Sequence, residues 1–290
     1  MVIARAGKRQ PDRQRWRLMS STFRSLKYYN ARLFFSGLAI SNVGTWLQMT
    51  AMSLLVYRLT GEATTVGITL ALQMLPTLLL GASAGVIADG RDRRTMAIVT
   101  QSALAVQALV LATIDFAGWA NLPVVYVLSV VLGVVNAFDN PARRGLVTEL
   151  VPTVDIPNAT SLNTAVMTGS RIFGPALAGV LVATIGTAWC FLLNGFTFFA
   201  IIFSLVAIRR DEMFPTERRP KGGKPIREAL SFVAGHRDML IIYSLLVVVS
   251  TVAFNQATVF PKLADVRWGD ENAYGFILAV MSVGSLTDRC

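Results

Sequence analysis

The sequence predicts an all-α fold, a polytopic bundle of membrane-spanning helices. Three observations carry this expectation. The 290 residues are 53% hydrophobic and only 15% charged, with a mean hydropathy of +0.54, too apolar for a soluble chain of this length. The apolar residues gather into runs that reach the roughly 20 residues a helix needs to cross a hydrocarbon core of about 30 Å. No segment shows the period-two alternation of a barrel strand, and no soluble domain of appreciable size fits between the runs.

Breaks at Gly, Pro and charge place spans near residues 33–57, 64–88, 95–114, 122–138, 160–185, 187–208, 239–260 and 273–287. Residues 1–32 form a basic tail; residues 1–22 lack an apolar core and a small-residue cleavage site, so they read as a cytoplasmic tail rather than a cleaved signal. The fourth span should stop at Asn140, because Pro141 lacks an amide hydrogen and biases the residue before it away from helix. Residues 33–208 thus make a first six-helix bundle. Residues 209–238 are charged and contain Pro215, Pro220, Pro225 and Gly222-Gly223, as a linker should. Residues 239–290 then supply the first two helices of an incomplete second bundle.

A formal net charge of +10 would point to nucleic acid in a soluble protein, so its distribution decides. With a cytoplasmic amino terminus, inside segments hold 22 of the 27 Lys and Arg, and outside loops hold Arg58, Lys262 and Arg267. The positive-inside bias explains the basicity, and the expected partners are the lipid bilayer and a small-molecule substrate, not nucleic acid. Cys190, Cys290 and the single His236 show no metal or redox spacing, and there is no nucleotide loop or nucleophile-base pair. The chain is expected to be no enzyme and to need no cofactor.

The most informative segment is Gly85-Val86-Ile87-Ala88-Asp89-Gly90-Arg91-Asp92-Arg93-Arg94, a charged hinge between two apolar spans. Asp89 falls at a helix carboxyl end and Arg93 and Arg94 at a helix amino end, where each helix dipole disfavours that sign. Groups outside these two helices should hold them. The pattern resembles the loop signature Gly-x-x-x-Asp-Arg-x-Gly-Arg-Arg/Lys between the second and third helices of the major facilitator superfamily. Gly85, Asp89, Arg93 and Arg94 match, whereas Gly90 replaces the usual Arg and Asp92 the usual Gly. The resemblance implies a conformational latch made by Gly85, Asp89, Arg93 and Arg94, with Asp139 level with the hinge and within reach of Arg93.

Three further stretches resemble the branch that contains enterobactin exporters and macrolide efflux proteins, the transmembrane secretion effectors. These are Phe23-Arg24-Ser25-Leu26 with Asn30 and Gly44-Thr45-Trp46-Leu47-Gln48; Asn136-Ala137-Phe138-Asp139-Asn140-Pro141-Ala142-Arg143-Arg144 through Glu149-Leu150-Val151-Pro152; and Asn158 to Asn163 leading to Arg171-Ile172-Phe173-Gly174-Pro175-Ala176-Leu177-Ala178-Gly179. The last resembles the antiporter signature, in which Gly174, Pro175 and Gly179 serve close helix packing while Ala178 replaces one expected Gly.

The chain also repeats itself at an offset of 208 residues. Gln48, Thr50, Leu55, Gly61, Gly67, Leu70 and Ala71 meet Gln256, Thr258, Leu263, Gly269, Gly275, Leu278 and Ala279 without a gap. Parallel six-helix halves are the major facilitator arrangement. At this offset Gly85 maps past Cys290, so the reading is a truncated transporter that stops before a second hinge and does not transport by itself. A genuine seven- or eight-helix protein is the alternative.

Arg171, some eleven residues into the fifth span and about 16 Å from its inner end, is expected to face a cavity or a partner. Asn163, Met167 and Ser170 lie near its helical face, and Asn42, Thr45, Trp46, Met49 and Ser53 form a second stripe on the first span. Gln48, Asn136, Asn163, Arg171, Asn255 and Gln256 are the candidate cavity residues. No carboxylate lies mid-span, so proton coupling would run through the edge residues Asp115 and Asp139 or through a part outside this chain. The expected function is a secondary active efflux transporter of the bacterial inner membrane, moving a small organic compound by alternating access with proton coupling. The alternatives are an inactive fragment and a membrane scaffold or sensor.

Overall fold

The computed structural model describes residues 23–214, 231–253 and 256–269. A 3-10 turn, Arg24–Lys27, leads into α1 (Tyr29–Thr60), α2 (Ala63–Gly90), α3 (Arg93–Phe116), α4 (Leu122–Glu149), α5 (Ile156–Ile185) and α6 (Thr187–Ala207). Helices α7 (Arg237–Ala253) and α8 (Gln256–Trp268) follow. The chain is all-helical among the described residues, and α2 to α6 are long and apolar enough to cross a membrane. Helix α1 is the most enclosed, and its buried Asn42, Gln48, Thr50 and Ser53 make it less apolar than its neighbours.

Helix α1 packs on α5 and α6, α2 on α4, and α3 on both α4 and α6. Two apolar clusters fill the bundle. Phe34, Leu38, Leu104, Leu146, Phe198 and Leu205 meet toward the end that carries the hinge, and Leu54, Leu111, Val125, Val182 and Phe191 toward the far end. Lipid is as apolar as these side chains, so association rests on close fit rather than on expulsion of water. Glycines supply that fit. A Cβ on Gly174 would lie 2.4 Å from the Trp46 Cβ, and one on Gly133 would lie 2.4 Å from the Gln73 carbonyl oxygen. Gly133→Val should therefore force α2 from α4 and cost about 1–3 kcal/mol. A thermal midpoint in detergent unchanged from the parent would show that the two backbones can part freely.

Pro141 does not end α4, contrary to the sequence expectation. The helix continues to Glu149, as α2 passes through Pro76 and α5 through Pro175. A proline costs a helix interior about 3 kcal/mol, yet leaving helix here would expose several backbone groups to hydrocarbon, each of which costs as much. Side chains on both sides of Pro141, Asp139 and Arg143, also bind the neighbouring helices.

The expected seventh span, 239–260, falls on α7 and the start of α8, with residues 254–255 outside the described part. The eighth span, 273–287, lies outside it entirely, as does most of the linker. From Arg237 to Val249 every residue of α7 is exposed, including Ile241, Leu245 and Val248. Helix α8 instead returns to the bundle, where Ala264 joins the far-end cluster and packs near α1 and α2.

The 208-residue offset reappears in three dimensions. Gly61 and Gly269 close α1 and α8 with φ of 68° and 67°, a left-handed cap that glycine adopts without strain. Their amides donate to the carbonyls of Tyr57 and Asp265 at 2.7 and 2.8 Å. Tyr57 and Asp265 are themselves 208 residues apart, and the Tyr57 hydroxyl donates to Asp265 at 2.7 Å. A residue that touches its own repeat counterpart is what two helices flanking a two-fold pseudo-axis produce.

Candidate functional site

Arg93 opens α3 and gathers three helices. Its guanidinium meets Asp89 of α2 at 2.9 Å and Glu149 of α4 at 3.0 Å, and donates to the Gly145 carbonyl at 3.3 Å. Gly145 makes room: a Cβ there would come within 2.5 Å of the Arg93 Nε. The two pairs differ in environment. Asp89 is 52% exposed, whereas the Arg93 and Glu149 side chains are only 17% and 16% exposed. Arg94 makes no ion pair among the described residues and donates to the carbonyls of Leu205 and Val206 at 2.6 and 2.7 Å. It thereby caps α6, whose carboxyl end favours a cation. Around Gly85 there is open space, so no close approach demands a glycine there.

Asp139 is not in reach of Arg93, which corrects the sequence expectation. Fully buried, it accepts from Thr100 at 2.7 Å, Gln101 at 2.9 Å and Arg143 at 2.5 Å, and Arg143 donates onward to Asn42 at 3.4 Å. Thr100 lies seven residues, about 10 Å, farther along α3 than Arg93. The hinge end thus carries two separate charged junctions. The deeper one joins α1, α3 and α4; the outer one joins α2, α3 and α4.

Beside these, Asp92 pairs with Arg210 at 3.2 Å and accepts from the Thr95 hydroxyl. Partial burial pushes its carboxyl upward, but the Thr95 hydrogen bond and the Arg210 charge outweigh this and hold it below the usual carboxylate range. The residues before α1 are tied down as well. Buried Asp155 accepts from Tyr28 at 2.6 Å and meets Arg24 and Lys27 at 2.8 and 3.3 Å, while the Asn30 amide exchanges two hydrogen bonds with the Arg209 backbone.

Gln48 is also removed from the cavity set. It is buried, donates to Gln107 at 3.1 Å and accepts from Asn194 at 2.7 Å, so it knots α1, α3 and α6 inside the bundle. A polar residue in a helical stripe looks the same in sequence whether it faces a cavity or another helix. Arg171 does occupy an open face of α5, with its guanidinium carbon 5.3 Å from the centroid of the Trp46 ring. Asn163 is half-buried and reaches Met167 at 3.8 Å, and Asn136 is half-buried on α4. Asn255 lies outside the described residues, and only the backbone of Gln256 is placed, at the start of α8. Gly174 and Pro175 are buried against α1, and Gly179 is half-buried one turn on.

Sequence reading missed Glu149, Thr100, Gln101, Gln107 and Asn194. Glu149 had a signal, since it stands four residues after Gly145 on one helical face if α4 is allowed through Pro141. The amides had none.

Comparison with known proteins agrees with this architecture. The family model described as transmembrane secretion effector matches residues 20–289. The chain is 21% identical over 260 residues to the staphyloferrin A transporter of Staphylococcus aureus, covering 88% of this chain and 64% of that protein. It is 27% identical over 161 residues to macrolide efflux protein A of Streptococcus pyogenes, covering 53% of this chain and 39% of that protein. It superposes on a bacterial homologue of the human lysosomal transporter Spinster with a TM-score of 0.65 at 15% identity, covering 89% of this chain and 61% of the other. The chain thus spans less than two thirds of the length of these proteins.

Proposed function

The chain belongs to the transmembrane secretion effector family of the major facilitator superfamily, and from that premise we propose that it takes part in moving a small organic compound out of a bacterial cell by alternating access. The observation that carries this reading is an asymmetry between the two ends. At the far end α8 closes on α1 through Tyr57 and Asp265, while α7 leaves its apolar face bare along Arg237 to Val249. A contact between repeat-related helices, with α7 exposed from Arg237 to Val249 among the described residues, suits two bundles that rock against each other. The names of the two relatives favour a siderophore-like or drug-like substrate.

The protein is placed in the inner membrane with its hinge end in the cytoplasm. Residues 33–208 act as one rocking unit, and the segment from residue 239 belongs to its partner unit. Asp89, Arg93, Glu149 and Asp139 hold the hinge end, and Arg171 with Trp46, Asn163 and Asn136 offers the cavity its polar contacts. The proton gradient drives export, and the buried Asp139 is the carboxylate that the deeper junction offers to the pathway.

Uptake of a panel of siderophores and macrolides into everted membrane vesicles that carry the chain extended to twelve helices tests direction and coupling together. Accumulation that collapses with a protonophore is expected; energised movement the other way would sink the proposal. Orientation is read separately by cysteine labelling of intact cells. Glu62→Cys should react readily and Arg210→Cys should not, and the reverse pattern would turn the molecule over.

A further inference from the structure

At the hinge end the bundle carries a recess on its periphery, lined by α2, α3 and α4 and not by α1 or α5. It encloses about 640 Å³ between α2, α3 and α4 and is lined by Ile87, Met96, Val99, Val135 and Phe138, with Arg91 and Asp92 at its mouth. Val86 and Ile87 beside it, and Val99 and Val106 along α3, are exposed, so the recess opens toward hydrocarbon. From Thr95 to Ala103 its α3 wall rises eight steps, about 12 Å. That is close to the depth of one leaflet, half of a core of about 30 Å.

The mouth has an unbalanced positive charge. Asp92 is engaged by Thr95 and by Arg210. Arg94 is committed to the end of α6. Among the described residues the exposed Arg91 side chain has no ion-pair or hydrogen-bond partner. A cation at the level of the hinge, above an apolar slot as deep as one leaflet, matches one kind of molecule.

We propose that this recess binds an anionic phospholipid, with an acyl chain along Met96, Val99 and Phe138 and the phosphate at Arg91. A zwitterionic lipid can fill the slot but gains less from Arg91, so the site selects by headgroup charge. The proposal requires only that the chain spans a membrane and is independent of what is transported or in which direction.

Photolabelling of the whole protein in vesicles tests it, using phosphatidylglycerol or phosphatidylcholine with a diazirine on the acyl chain. Peptides containing Met96, Val99 and Phe138 should be labelled about fivefold more by the anionic lipid, the ratio expected from one interfacial cation. R91Q should equalise the two lipids. Ala103→Phe, which fills the slot, should lower labelling of these peptides by both. Equal labelling of the parent by the two lipids, or a preference that survives in R91Q, would overturn the proposal. So would equal competition by soluble glycerol phosphate, which would leave an anion site without a lipid.

Discussion

Asp139→Ala is expected to be the most damaging single substitution in the described part of the chain. It removes a fully buried carboxylate that satisfies Thr100, Gln101 and Arg143, and leaves the Arg143 guanidinium, 16% exposed, without its 2.5 Å partner. Breaking a buried pair by deleting one member typically costs about 3–5 kcal/mol, most of it from the stranded charge. A marginally stable protein loses a large fraction of its stability by such a change. The outcome to measure is the thermal midpoint in detergent together with the amount inserted in membranes. A second variant separates stability from coupling: Asp139→Asn with Arg143→Gln removes both charges, keeping the size of the aspartate and shortening the arginine while leaving a polar amide. Its stability should recover substantially while proton-dependent transport does not. Recovery of both would make Asp139 a structural strut with no part in coupling.

In a version extended to twelve helices, Glu149→Gln should impair transport per inserted molecule more than Asp89→Asn. Both carboxylates meet Arg93 at about the same distance, 3.0 and 2.9 Å, so burial decides. Asp89, half exposed, pairs with Arg93 across the break between α2 and α3, an exposed ion pair of a kind worth about 0.2–1 kcal/mol. The Glu149 pair is largely shielded, and after discounting for its remaining exposure about 1–2 kcal/mol is reasonable. Glu149 is also bonded through its carbonyl to the Phe214 amide at 2.8 Å, which anchors the chain after α6 to the same junction. Transport and membrane abundance must be measured on the same preparations. If Asp89→Asn is the more harmful, the latch works between α2 and α3 alone, and Glu149 is a bystander.

The shift of emphasis from Asp89 to Glu149 shows where sequence reading stopped. The hinge was legible because its charges oppose the dipoles of their own helices; the structure supplies outside partners for Arg93 from α4 and for Arg94 from α6, whereas Asp89 is held by Arg93 itself. Glu149 was hidden by Pro141, which reads as a terminator under local rules. Asp139 was recognised as important but assigned to the wrong arginine, since being level with the hinge says nothing about which side of α4 faces α3. Gln48 was placed in the cavity by helical periodicity alone, and only packing shows that its face meets Gln107 and Asn194.

By itself the sequence determined the fold class, the order of α1 to α6 and their approximate limits save the end of α4, the family, and the 208-residue repeat that the glycine caps at Gly61 and Gly269 display. These follow from one-dimensional quantities: apolar run length against bilayer thickness, charge against depth, and glycine where the backbone must turn left-handed. Tertiary structure alone decided which polar groups pair, that α4 survives Pro141, and that Tyr57 reaches Asp265. A residue's partner depends on the rotation of two helices about their axes and on their separation. Both are set by glycine contacts and buried hydrogen bonds summed over the whole interface, which no local window of sequence contains.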